Sequence, residues 1–318
     1  MTAAEKEMFL LYIMWTVEAV VVAGSNLLII CAITRYKALR RSKIYQLVLG
    51  VSLADFINML AYITGGVRRA ILLYTGQFYT PMTAWDCMLQ IPNLIWSLTE
   101  QLSGAVLTAV SIDRLLIVVK PVKHLKLTSA YTKNLMGGVY LYCLLTGTVP
   151  YVTLIALQDP PRMTTSSCPT SMLTEPPWYA NFYRYSGPAW AGLSVLLYVL
   201  VCVAFRRSTK KISPDAEQQS EEDKSKMRRQ RKLTVSIGIS SLCTLFIFMV
   251  PYCSGYYLYL SNADVPHWFT FGLYCVTMLN PFCNVFIYSL RHSEMKKAIR
   301  ALLHMKDMPV NLQQWKHI

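Results

Sequence analysis

Charge is what this chain has least of. Charged residues fill 15% of its 318 positions and hydrophobic ones 54%. The charges are not interleaved with apolar residues at the spacing of a soluble amphipathic helix, which argues against a soluble globular domain. Histidine is also sparse: His124, His267, His292, His304 and His317 fall in loops, at a span end or in the tail. None of them clusters at metal-ligand spacing, which excludes a membrane metallohydrolase. The last apolar stretch carries no lysine to form a retinal Schiff base, so a retinal-linked pump or photoreceptor is excluded as well. There is no Asn-x-Ser/Thr sequon anywhere, so glycosylation says nothing about sidedness. No basic n-region and small-residue cleavage site precede the first apolar stretch, so that stretch is expected to act as an uncleaved anchor. No internal repeat is visible. The polar, acidic segment Ser213–Glu222 is the one low-complexity stretch and reads as a connecting loop.

What is present is a set of seven long apolar stretches. They lie near Phe9–Thr34, Ile44–Gly66, Met88–Val119, Leu135–Leu157, Pro188–Phe205, Leu233–Leu260 and His267–Leu290. About 20 apolar residues cross the hydrocarbon core as a helix, so the expected fold is an all-α seven-transmembrane helix bundle in a lipid bilayer. The net charge of +14 would suit a nucleic-acid binder, but its distribution points to membrane topology and to no nucleic acid. Of 31 basic residues, 26 lie in the segments after spans one, three, five and seven or, as Arg114 does, at the end of the span before them. Short cytoplasmic loops are enriched in Lys and Arg, which places the amino terminus outside and the carboxyl terminus inside. After span seven, Met295, Ile299, Leu302 and Leu303 alternate with Lys296, Lys297 and Arg300, an amphipathic surface helix over Ser293–His304. Residues 1–304 are read as one membrane domain and 305–318 as a cytoplasmic tail.

Of the nine cysteines, Cys87 and Cys168 alone lie outside the spans, both on the outer side, where disulfides persist. A bond between them would tie the top of span three to the second outer loop; two free thiols are the alternative. Asp55 in span two, Glu100 in span three and Glu18 in span one are acids inside the membrane, where a carboxylate needs a partner. Trp96, Glu100, Ser103, Leu107 and Arg114 share one face of span three by their spacing. Arg68 and Arg69, near the outer end of span two, either meet an anionic ligand or snorkel, and snorkelling is the reading preferred.

Five landmarks occur in one order: Gly24-Ser25-Asn26, Ser52-Leu53-Ala54-Asp55, Asp113-Arg114 with Pro121 seven residues on, Pro251, and Asn280-Pro281 followed by Asn284 and Tyr288. Together, over residues 9 to about 304, they resemble the rhodopsin-like G protein-coupled receptors. In span seven Asn280, Asn284 and Tyr288 share one face in either of two registers: Asn-Pro-x-x-Tyr begun at Asn280, with Asn284 in its fifth position, or the preferred, longer Asn-Ser-x-x-Asn-Pro-x-x-Tyr. Pro281 then sits one turn earlier than is usual, with Val285 in the customary proline position, and the place of the kink stays open. The step from Tyr288 to Met295 suits the start of the family's eighth helix. The chain departs from the family in several places. Met249 stands for the usual tryptophan two residues before Pro251, span four lacks tryptophan, and no acid marks the inner end of span six. No cysteine follows Cys283, and Cys87 lies two residues further from Arg114 than is customary. Short stretches, Arg231–Ile239 and Ile287–His292, look like nematode serpentine chemoreceptors and, more distantly, olfactory receptors.

The resemblance implies a receptor in the plasma membrane rather than an enzyme, binding an extracellular chemical or peptide and activating a heterotrimeric G protein. Asp113, Arg114, Tyr198, Pro251, Asn284 and Tyr288 would carry coupling, with Pro251 weakening span six as the moving lever. Asn26, Asp55, Ser103, Asn280 and Asn284 would form an oxygen-rich network. It is either a sodium site or a hydrogen-bonded knot without an ion, and no other cofactor is implied. Asn93, Trp96, Glu100, Tyr252 and Tyr256 would line the ligand pocket. Trp96 stands where the family's amine receptors place an aspartate, which argues against a biogenic amine bound by that route. Glu100 is left as the one buried charge able to orient a cationic or hydrogen-bond-donating ligand, with a purely structural carboxylate as the alternative. An ion-coupled transporter using Glu18, Asp55 and Glu100 is the rival function, although no two halves repeat and no span pair is broken in a matching way.

Overall fold

The computed structural model describes residues 1–156, 163–168, 177–212, 239, 242–261 and 265–303. Span one runs over Ala3–Arg35, six residues ahead of the apolar stretch, because its start is capped: Glu5 N donates to Thr2 Oγ1 (3.2 Å) while Thr2 N donates to Glu5 Oε2 (2.6 Å). This reciprocal box satisfies donors that a helix start otherwise leaves unpaired. Span two covers Lys43–Tyr74. It ends where Gly76 takes φ +71°, so that Gly76 N can donate to Leu73 O and Gln77 N to Leu72 O. Only a residue without a Cβ enters that left-handed conformation freely.

Span three is not one uninterrupted helix. A short helix Ala84–Met88 precedes it, and the span itself comes in two pieces, Ile91–Thr99 and Leu102–Val119, joined at Glu100 and Gln101. Span four is Ser129–Ala156 and span five Pro177–Ile212, with Pro150 and Pro188 inside them rather than at an end. Span six is described from residue 242 as a π-helical turn Thr244–Met249 leading into the helix Val250–Leu260. Span seven is His267–Arg291, followed by the helix Ser293–Leu303. Six of these helices are long and apolar enough to cross a membrane, and the apolar helix Thr244–Gly255 supplies a shorter seventh. The connecting segment Ser213–Glu222, the basic inner end of span six and the tail 305–318 lie outside the described residues.

Two contacts between spans depend on glycine. Gly147 in span four lies against the backbone of span three: a Cβ there would come within 2.6 Å of Ser97 O. Gly104 in span three would bring a Cβ to 3.1 Å from both Gly187 O and Ala191 N of span five. Small residues at such crossings let backbones approach where lipid gives no hydrophobic drive. Thr108 Oγ1 then donates to Trp190 O across the same contact (2.7 Å).

A small sheet was not anticipated by the all-α pattern. Strands β1 (Pro81–Thr83) and β2 (Met163–Thr165) pair antiparallel, Pro81 opposite Thr165 and Thr83 opposite Met163. Three-residue strands carry too little alternation to be read from sequence. At the other end, Met295 and Ala298 of the last helix are fully buried beside Ile29 and Ile33 of span one, Val48 of span two and Tyr288 of span seven. Tyr45 donates to Glu294 Oε2 (2.8 Å), fixing that helix against span two.

Candidate functional site

The rim at the end of the bundle that the basic loops assign to the outside is built first from the disulfide. Cys87 and Cys168 are bonded, with Cα atoms 5.4 Å apart. Cys168 sits at φ 49°, a left-handed conformation unfavourable for a residue with a Cβ. The two arginines of span two hold that turn in place. Arg68 Nη1 donates to Ser166 O (2.7 Å), Arg69 Nε to Ser167 O (3.1 Å), and Arg69 Nη2 to Cys168 O (3.1 Å). Arg69 also lies 5.8 Å over the Tyr12 ring. The expectation that both would snorkel is therefore corrected. Three backbone carbonyls of an outer turn fall within their reach, and a half-buried guanidinium gains more from them than from open water. Sequence could not show this, because the carbonyls lie some hundred residues away.

Below the rim lies a partly open cavity, with about 590 Å³ of empty space when the solvent in its mouth is included. Trp96, Glu100, Ser103 and Leu107 of span three all line it, as the shared face predicts. Tyr252 of span six lines it too. Tyr256 belongs to the same helix, but its side chain is outside the described residues. Asn93 is not at the cavity: it is 3% exposed, and its amide donates to Cys87 O (2.7 Å), bracing the turn into span three. Among the residues that sequence reasoning missed are Asn58, Tyr62, Phe248, Tyr274 and Thr277. Tyr62 and Tyr274 could have been sought by asking which rings of spans two and seven lie level with Trp96. Trp96 packs on Tyr62 (ring centroids 5.1 Å) and Trp15 (6.2 Å), and its Nε1 donates to Glu100 Oε2 (2.5 Å). Glu18 is elsewhere, half-buried between spans one and seven, with the Cys275 thiol as its partner.

Beneath the cavity the polar network closes only in part as expected. Asp55 is 1% exposed and accepts from Ser103 Oγ (3.0 Å) and from Asn284 Nδ2 (3.4 Å). Asn280 does not bond Asp55; its Oδ1 accepts from Thr244 Oγ1 of span six (3.2 Å). Asn26 stays apart, donating to Val22 O within its own helix (3.1 Å) and leaving its Oδ1 without a partner among the described residues. The correction has a simple cause: the i−4 carbonyl of Asn26's own helix is nearer than any carboxylate. Asp55, Ser103 Oγ and Asn280 Oδ1 are hard oxygen donors on three spans, a set that fits a sodium ion.

Span six widens where proline demands it. The turn Thr244–Met249 is wound with a longer hydrogen-bond step, Val250 N reaching Leu245 O, and ends two residues before buried Pro251, which has no N–H to give. Span seven, by contrast, passes Pro281 as a continuous helix.

At the inner end Arg114 Nη2 and Asp113 Oδ2 are 2.6 Å apart and both are buried. Asp113 Oδ1 has a second partner, His124 Nε2 at 3.0 Å, on the short helix Pro121–Lys126. His124 in turn stands edge-on to Tyr131. Its part in this cluster was not read from the sequence, though its place eleven residues after Asp113, just past Pro121, was the available signal. Arg114 and Tyr288 together wall a small inner cavity with Val48, Val51 and Val110. Tyr198 packs instead with the cluster of spans two to four around Leu107 and Val110.

An outer cavity and an inner ion pair, joined through one apolar bundle by a column of polar side chains, define a multi-pass membrane receptor. Residues 25–288 match the profile described as 7 transmembrane receptor (rhodopsin family), and the chain belongs to that family. Comparison with curated proteins gives no match.

Proposed function

We propose that this receptor binds an extracellular chemical or peptide in the outer cavity and activates a heterotrimeric G protein, in a chemosensory role at the plasma membrane with its amino terminus outside. The family membership supports a receptor that couples to a G protein in a membrane. The observation that carries the mechanism is the continuous line of contacts. Trp96 and Glu100 border the cavity, Ser103 borders it and bonds Asp55, Asp55 bonds Asn284, and Tyr288 one turn on faces Arg114.

Ligand acts by favouring one of two bundle arrangements. Asn280 and Thr244 are the link between spans seven and six, and the widened turn before Pro251 is where span six yields. Movement of its inner half opens the cytoplasmic face, and Arg114 exchanges Asp113 for the G protein. A sodium ion held by Asp55, Ser103 and Asn280 would add a positive charge between these spans and favour the closed arrangement.

The experiment is Arg114→Ala in cells with a second-messenger readout, with surface level measured in parallel. Signalling, basal and stimulated, is lost at unchanged surface level. Signalling that survives at normal surface level would reduce the Asp113–Arg114 pair to a helix cap.

A further inference from the structure

We propose that the outer cavity takes a small organic cation, with its positive group on Glu100 Oε1 and its body against a ring of aromatic faces. This rests on the reading of that cavity as the ligand site. Among the described residues Glu100 is the only carboxylic acid on the cavity wall, and no Lys, Arg or His lines it. Its Oε2 accepts from the Trp96 indole; its Oε1 accepts from no described residue. Glu100 lines the cavity with a single neutral donor on Oε2, and a carboxylate in a low-dielectric wall takes its further partner from the cavity side. A ligand ammonium supplies it.

The remaining walls fit the same charge. Tyr62, Trp96, Phe248, Tyr252 and Tyr274 present five rings around one acid, and aromatic faces attract a cation and not an anion. Arg69 is committed to the carbonyls of Ser167 and Cys168 at the rim and does not neutralise Glu100. Trp96 is thus a ring over the ligand and the donor that orients Glu100. This is why an acid one turn below serves where Trp96 itself cannot.

The test uses the full chain, purified into lipid nanodiscs, and matched probes: choline with its uncharged carbon isostere dimethylbutanol, and phenethylamine with phenethyl alcohol. Thermal unfolding is followed against probe concentration. Each cation raises the melting temperature and its isostere does not. Glu100→Gln, whose amide oxygen still accepts from Trp96, weakens the cation effect at least tenfold. Glu18→Gln, away from the cavity, leaves it unchanged. The proposal is overturned if cation and isostere act alike, if neither acts, or if the cation effect survives Glu100→Gln. The matched-pair comparison on the parent protein needs no variant, so it decides even if Glu100→Gln does not fold. Loss of this selectivity with G protein activation intact rejects the ligand class alone. Cation binding without any G protein activation rejects the receptor reading and leaves the site.

Discussion

Replacing Arg69 by alanine removes the two outer-loop hydrogen bonds to Ser167 O and Cys168 O and the contact over Tyr12. A hydrogen bond from a charged donor contributes ~1.5–3 kcal/mol, and a partly exposed cation–π contact ~0.5–1 kcal/mol. The freed carbonyls lie at the rim, where water replaces part of the loss, so a net destabilisation of about 2–3 kcal/mol is expected. Cys168 adds to this, because its left-handed backbone keeps the disulfide and its N–H bond to Thr165 O but loses the arginine on its carbonyl. Arg68→Ala removes one bond, to Ser166 O, and should cost about 1 kcal/mol. Arg69→Lys keeps the charge but cannot span two carbonyls, so it falls between them. The assay is thermal unfolding of the purified receptor, read by a thiol-reactive dye that reports the added exposure of its free cysteines, Cys143 the buried one among them. Arg69→Ala should melt on the order of 5 °C below the parent, with Arg69→Lys and then Arg68→Ala closer to it. If Arg69→Ala melts with the parent protein, the arginine is only a snorkelling cation and the clamp is refuted.

Three further outcomes follow from the same contacts. The Cys87–Cys168 bond closes a separation of 81 residues and limits the unfolded chain by about 4 kcal/mol. Cys87→Ser, Cys168→Ser and the double variant should therefore lose surface expression equally, and unequal losses would mean that one thiol acts alone. Gly147→Ala drives a methyl into Ser97 O of span three, whereas Gly138→Ala, in the same helix, meets nothing within 4 Å. The first should destabilise by ~1–3 kcal/mol and the second should not, and equal melting curves would show the two spans to be further apart. A tag at residue 1 should be reached by antibody on intact cells and a tag at residue 318 only after permeabilisation, the reverse pattern overturning the topology argued from the basic loops.

The sequence by itself determined the elements whose cause is local or periodic. Apolar length gave the spans, since a backbone in lipid must satisfy its own hydrogen bonds within a helix. The four-residue rhythm placed Trp96, Glu100, Ser103 and Leu107 on one wall, and the alternation after Ser293 marked the helix that packs Met295 beside Tyr288. The same rhythm allied Asn284 with Tyr288. Tertiary structure alone decided which distant groups those faces meet. Asn26 has the right residue type for the polar network, yet its own helix carbonyl captures it, and Asn93 is taken by Cys87 O. Arg68 and Arg69 find backbone carbonyls, which no side-chain pattern announces, and Asp113 finds His124 as well as Arg114. Periodicity fixes the direction a side chain takes from its own helix; the partner it meets depends on how closely neighbouring helices approach, and here that distance is set by Gly104, Gly147 and Gly187 at the crossings of span three with spans four and five.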